Sequence, residues 1–237
     1  MAIRGILFDK DGTLIDFART WVPINRDAAL YAAGGDQALA DGLLRRHGQD
    51  PATGAVTAGS VLAAGSIYDI AEAFAADLGK RTPPDLAAAI DRIYAEGGAR
   101  HAVLIDGAQA TLAELKRRGF RLGVATNDSI GGLEASLGRF PEALALFDFR
   151  TGCDSGFGAK PEPGMVLGFC RAVGILPSEV AMVGDAVHDL AMGRAAGAGL
   201  NVGVLSGTSG EDDFEGLADL ILPSINELPA RRELLAR

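Results

Sequence analysis

Ile3-Arg4-Gly5-Ile6-Leu7-Phe8-Asp9-Lys10-Asp11-Gly12-Thr13-Leu14 is the stretch whose reading decides the fold. Its apolar run, Ile6-Leu7-Phe8, stops at two carboxylates spaced i and i+2, with Gly and Thr after them. A short continuous apolar run bounded by a turn signal reads as a strand buried on both faces. In open parallel sheets, ligands bind in the crevice beyond the carboxyl ends of the strands. Asp9 and Asp11 project side by side at that edge if the extended path continues for two more residues. Two such close carboxylates repel each other unless a cation or a proton lies between them. An isolated Asp-x-Asp is more often a solvated acidic turn, so the rest of the chain has to decide.

Working outward, strand signals vanish after Thr13 for about ninety residues, and Ala-rich helical patterns replace them. Residues 19–33 and 36–47 read as helices separated by Gly34-Gly35, and 48–65 stays undecided. Ser66-Ile67-Tyr68-Asp69 predicts a capping box opening a helix that Gly79 closes. Thr82-Pro83-Pro84-Asp85 predicts another, with Thr82 as N-cap and Gly97-Gly98 as the stop. Residues 16–100 are therefore expected to form a helical cap inserted after the first strand. From Gly107 strand and helix alternate, the signature of a parallel sheet. Strands are expected at 120–125, 146–150, 180–183, 200–204 and 220–222, and helices at 108–118, 130–137, 163–173 and 187–196. Ser224 is expected to cap a terminal helix that must hold Pro229 in its first turns. The fold class is α/β: a Rossmann-like parallel sheet core of residues 1–15 and 101–237, with the helical cap at 16–100.

Three strands then end in polar clusters: Asp9/Asp11, Thr126/Asn127 and Asp185/Asp189. In a parallel sheet these ends lie at one edge, so the clusters converge. Lys160-Pro161 adds a positive charge from a neighbouring loop. Acids to hold a hard cation, a hydroxyl and N–H groups for phosphate oxygens, and a Lys to offset charge together suit phosphoryl chemistry.

Asp9-Lys10-Asp11-Gly12-Thr13, Thr126-Asn127, Lys160-Pro161 and Gly184-Asp185 with Asp189 four residues later resemble the four ordered motifs of the haloacid dehalogenase-like hydrolase superfamily. The insertion after the first motif resembles the cap of its phosphoglycolate phosphatase-like branch, and the resemblance covers nearly the whole chain. It implies that Asp9 is a nucleophile forming an aspartyl-phosphate. It implies that Asp11 is the general acid and then the base. Mg²⁺ would be held by Asp9, the Asp11 backbone carbonyl and Asp185, with Asp189 acting through water or as a supporting partner. Thr126 and the Asn127 amide would hold phosphate oxygens, and Lys160 would stabilise Asp9 and the transferring group. Family dehalogenases lack an acid at the position of Asp11, and the ion-pumping members carry Thr there. Its presence favours phosphatase turnover on a small phosphorylated metabolite, of the phosphoglycolate or sugar-phosphate class. The alternatives are a phosphomutase on the same core, or a non-catalytic binding protein. Ala186 departs from the Ser often found after the fourth motif's Asp, which bears on rate or metal affinity only.

Composition sets outer bounds. Of 237 residues, 48% are hydrophobic and 22% charged, ordinary for a globular protein. A net charge of −9 argues against nucleic acid as a partner, since phosphate backbones call for clustered Lys and Arg. No apolar stretch is long enough for a bilayer, and Asp9 interrupts any signal-peptide core, so a cytoplasmic monomer or homodimer is expected. Cys153 and Cys170 are too few for a disulfide framework and suit a reducing compartment. His47 and His101 have no partners at zinc spacing.

Several neighbouring residues have plainer readings. Lys10 alternates away from the site and reads as structural or solvent-facing. Asp128 reads as a helix N-cap, His188 as a surface or packed residue, and Trp21 as cap core with a substrate platform as the alternative. Arg19 and Arg26, soon after the first motif, are candidates to grip the distal part of the substrate, as is the loop leading to Ser66.

Overall fold

The structure, a computed structural model, describes residues 2–235. Six strands form one parallel sheet: β1 (Gly5–Phe8), β2 (Arg121–Ala125), β3 (Phe149–Thr151), β4 (Val180–Gly184), β5 (Leu200–Val204) and β6 (Leu220–Leu222). Their spatial order is β3-β2-β1-β4-β5-β6, a Rossmann-like arrangement in which the chain turns one way from β1 to β3 and then crosses back to β4. The order reverses beside β1, and the crevice for a ligand opens there. Phe8 pairs with Val124 on one side and Val183 on the other. Asp9 therefore leaves the sheet one residue beyond that level, and Thr126 and Asp185 two.

Between β1 and β2 lie α1 (Phe17–Ala32), α2 (Gln37–Arg46), α3 (Val61–Ala64), α4 (Ile67–Leu78), α5 (Leu86–His101) and α6 (Ala108–Arg117). Helices α7 (Ile130–Leu137), α8 (Pro141–Leu144), α9 (Gly164–Val173), α10 (Val187–Ala196) and α11 (Arg232–Leu235) follow through the rest of the chain. Side chains alternate across the sheet, so β1 feeds two cores. Ile6 and Phe8 join Leu112 and Leu115 of α6 on one face, while Leu7 joins Met165 and Phe169 of α9 on the other. The helices α1 to α5 bury a third core of their own, around Leu43, Leu44, Phe74 and Ile90. The two chain segments joining this helical insertion to the sheet pair with each other. Asp16 donates its N–H to Val103 O, and Ile105 donates to Leu14 O. No helix among the described residues is long and apolar enough to cross a membrane.

Several local expectations need correction. Thr82 does not cap α5; its hydroxyl donates back to Ala75 O and Gly79 O, closing the end of α4. Gly97 and Gly98 do not stop α5, which runs on to His101. A Cβ on Gly97 would sit 2.7 Å from Ile24 Cγ1, so that glycine lets α5 lie close against α1. Ser129, not Asp128, caps α7, accepting from Gly132 N–H. The third strand is shorter than expected, because Leu146 turns its N–H back to Ala143 O behind α8. Ser224 caps a 3₁₀ segment, Ile225–Ala230, instead of an α-helix, since Pro229 has no N–H to continue an α-helical ladder. The undecided region 48–65 holds a bridge between Gln49 and Val56, and then α3.

Candidate active site

Asp9 continues the line of β1, donating its N–H to Val183 O at 2.8 Å, and it is buried. The chain then turns sharply at Gly12, whose φ of +83° suits glycine and where a Cβ would sit 2.4 Å from the Asp185 carboxylate. Asp185 follows β4 and is held by Thr13 Oγ1 at 3.4 Å and Thr208 N–H at 3.0 Å. Asp189, in the first turn of α10, accepts from Ala186 N–H at 3.0 Å. Lys160 reaches in from the loop before α9 and donates to Asp9 Oδ1 at 2.5 Å and Asp189 Oδ1 at 2.6 Å. Asn127 steadies that loop, its Oδ1 accepting from Lys160 N–H at 2.8 Å. Its side-chain amide therefore positions Lys160. Thr126 Oγ1 accepts from Asp128 N–H at 3.1 Å, which leaves the hydroxyl proton for another acceptor.

Burial is the main electrostatic influence. It pushes the Asp9 carboxyl up to about 7 against the pull of Lys160, with Asp189 and Asp11 adding repulsion. The Asp185 carboxyl is likewise raised well above its ordinary value by burial and then by Asp9. Burial alone would lower Lys160, but Asp189 and Asp9 hold it above the usual lysine range. Asp9, Asp185 and Asp189 each offer an oxygen, all within 4.8 Å of one another.

Asp11 occupies a second polar cluster. Its Oδ1 accepts from Trp21 Nε1 of α1 at 2.6 Å, and its Oδ2 lies 3.1 Å from Lys10 Nζ. Lys10 is not solvent-facing: it is 0% exposed, bonded to Asp128 Oδ2 at 2.7 Å and lying 4.8 Å from the centre of the Trp21 ring. A buried ammonium needs such partners for its charge, and Asp11 and Asp128 supply them. Asp128 therefore bridges this lysine, through Oδ2, and the Ser129 N–H at 2.7 Å, through Oδ1, instead of capping α7 as its place in the sequence suggests. Trp21 also stacks on Tyr94, with ring centroids 5.7 Å apart.

The cavity above β1 has Asp9, Asp11, Thr126, Asn127, Asp185 and His188 in its floor. Ser66 lines it from the start of α4. Arg19 and Arg26 do not line it. Arg19 is exposed beside Asp16 and Asp106, and Arg26 donates to Pro51 O at 2.8 Å. The Trp21–Asp11 bond and the Lys10 cluster were not assigned from sequence. Their only signal there was the nearness of Trp21 to the first motif.

A parallel sheet with paired carboxylates at its switch point, a buried lysine beside them and helices over the crevice defines a Rossmann-like hydrolase. The sequence profile of the haloacid dehalogenase-like hydrolases matches residues 3–197, and the chain belongs to that family. It is 31% identical over 245 residues to the phosphoglycolate phosphatase of Escherichia coli, covering 95% of this chain and 91% of that one. It is 29% identical over 198 residues to the N-acetylmuramic acid 6-phosphate phosphatase of Pseudomonas putida, covering 83% and 81%. Among solved structures, CbbY from Rhodobacter sphaeroides in complex with phosphate is similar, with a TM-score of 0.66, 25% identity and coverage of 95% and 96%.

Proposed function

We propose that this protein is a Mg²⁺-dependent phosphatase acting on a small phosphomonoester, of the phosphoglycolate or sugar-phosphate class, through an aspartyl-phosphate. Residues 1–15 and 101–237 form its catalytic core and 16–100 its cap. The observation that carries this reading is the division of labour between two acids two residues apart. Asp9 is bonded to Lys160 at the end of β1, while Asp11 is turned to Trp21 and Lys10 in the same cavity. Similarity to enzymes named as phosphatases supports it.

An Asp9 oxygen attacks phosphorus, and the bond to the leaving alcohol breaks. Asp11 in its acid form gives that alcohol a proton, and as a carboxylate it then takes one from the water that attacks the acyl phosphate. Phosphate leaves and Asp9 is restored. Lys160 offsets charge on Asp9 and the transferring group, and Thr126 can donate to a phosphoryl oxygen.

The donor set fits Mg²⁺. Three buried carboxylates, once ionised, against one ammonium leave two negative charges for a cation to offset, and every candidate ligand is an oxygen, as a hard cation prefers. Asp9, Asp185 and the Asp11 backbone carbonyl would hold the ion, with Asp189 supporting. When bound, Mg²⁺ supplies the positive charge that lets an anionic nucleophile approach an anionic phosphate.

The test is phosphate release from p-nitrophenyl phosphate with and without Mg²⁺. Wild-type protein should turn over only with the metal. Asp9→Asn should lose at least about a thousandfold in kcat, since no neighbour can replace the nucleophile. Asp185→Ala should need more Mg²⁺ for half-maximal rate. Near wild-type turnover by Asp9→Asn would refute the mechanism.

A further inference from the structure

The cap wall of the cavity indicates which alcohol leaves, an inference that rests on the phosphatase reading above. Over the acids stand Phe17, Leu62, Ile67 and Ile70, an apolar surface. The polar side chains beside them are already engaged. Asn25 donates to Gln49 Oε1 at 2.8 Å and accepts from the Tyr94 hydroxyl at 2.5 Å. The loop across the cavity mouth has its N–H groups taken as well. Leu62 donates to His47 O, Ala63 and Ala64 to Ser60 O, Gly65 to Val61 O, and Ser66 to Asp69 Oδ2. From Leu62 to Ser66 that segment therefore has carbonyl oxygens, not N–H groups, to offer a ligand.

The N-terminus of α4 also faces the cavity, through Ser66 and Ile67. A helix start ordinarily attracts anions. Here the Asp69 carboxylate already stands at that start, accepting from Ser66 N–H at 2.8 Å and Ser66 Oγ at 2.7 Å, so a second anion there would meet its negative charge. The nearby cations are committed elsewhere too. Lys10 serves Asp11 and Asp128, and Lys160 serves Asp9 and Asp189. Arg19 and Arg26 face outward.

We infer that the substrate is the phosphate ester of an uncharged, hydroxyl-bearing alcohol of the sugar or polyol kind, and that esters with a carboxylate distal to the phosphate are disfavoured. A hydroxyl can donate to the loop carbonyls and lay its carbon skeleton on Ile67 and Ile70. A carboxylate in that place would lose water while meeting apolar surface, acceptors and the Asp69 charge.

The experiment is competition against p-nitrophenyl phosphate by two compounds of equal length. These are glycerol 3-phosphate and 3-phosphoglycerate, which differ by CH₂OH against COO⁻. Glycerol 3-phosphate should compete at about tenfold lower concentration, since the carboxylate must be desolvated without a partner. Equal potency, or the reverse order, overturns the inference. Ile70→Lys places an ammonium on the wall and should shrink or invert the preference; a well-folded variant with the wild-type ratio also overturns it. The wild-type ratio decides alone where the variant does not fold. Failure to hydrolyse p-nitrophenyl phosphate with Mg²⁺ is a separate result, which refutes the phosphatase reading and this inference with it.

Discussion

Trp21 spans the gap between α1 and the carboxylate proposed to move protons. Its N–H takes Asp11 Oδ1, while Lys10 faces Oδ2 from the other side, so the carboxyl group is fixed in rotation as well as in place. Lys10 is held in turn by Asp128 and, more loosely, by Ser136 Oγ at 3.4 Å. This makes Trp21 a positioning residue for proton transfer. Trp21→Phe keeps the ring stacked on Tyr94 but removes the donor. It should lower kcat on alkyl phosphates by about tenfold, the scale of one orienting hydrogen bond. Hydrolysis of p-nitrophenyl phosphate should be largely spared, because nitrophenolate departs without needing a proton. Equal losses on both substrates would reduce Trp21 to a packing residue.

The contact between α1 and α5 shows what a helix can conceal from a reader of sequence. Gly97 and Gly98 carry the same signal as a helix stop, yet they lie inside α5, where Ile24 and Trp21 of α1 press against them. Gly97→Val should cost about 1–3 kcal/mol through overpacking, despite replacing a poor helix former. Urea unfolding measures this, and a midpoint equal to wild type would show that Ile24 yields freely. The strands were legible because each is an apolar run ended by a turn or a polar cluster. The convergence of Asp9, Thr126 and Asp185 was legible because parallel strands end at one edge. Thr82 was misread because a hydroxyl bonds backward to a finished helix as readily as forward to a new one. The outward direction of Arg19 and Arg26, and the apolar wall made by Ile67 and Ile70, depend on how helices dock. Residue type and spacing do not carry that information.

Across the whole molecule, the net charge of −9 means that acid stability depends on which carboxylates resist protonation. Glu114 is held down at about 2 by hydrogen bonds from Arg117 and Arg118. Arg118 also donates to Pro229 O, so this cluster ties α6 to the C-terminal segment. A depressed carboxyl contributes stability that is complete above its ordinary value of 4.5 and is lost as pH falls toward about 2. The stability gap between wild type and Glu114→Gln should therefore be constant from pH 7 to about 5 and close below that. Chemical denaturation across this range measures it, and a gap that widens in acid would contradict the assignment. The helices over the crevice and the sheet beneath have separate cores, and the chain's single tryptophan stands where they meet. Any lifting of those helices carries its indole, still stacked on Tyr94 of α5, away from Lys10 and Asp11 and toward water, so the protein's own ultraviolet emission is an unlabelled optical gauge of opening, readable in real time as ligand is mixed in.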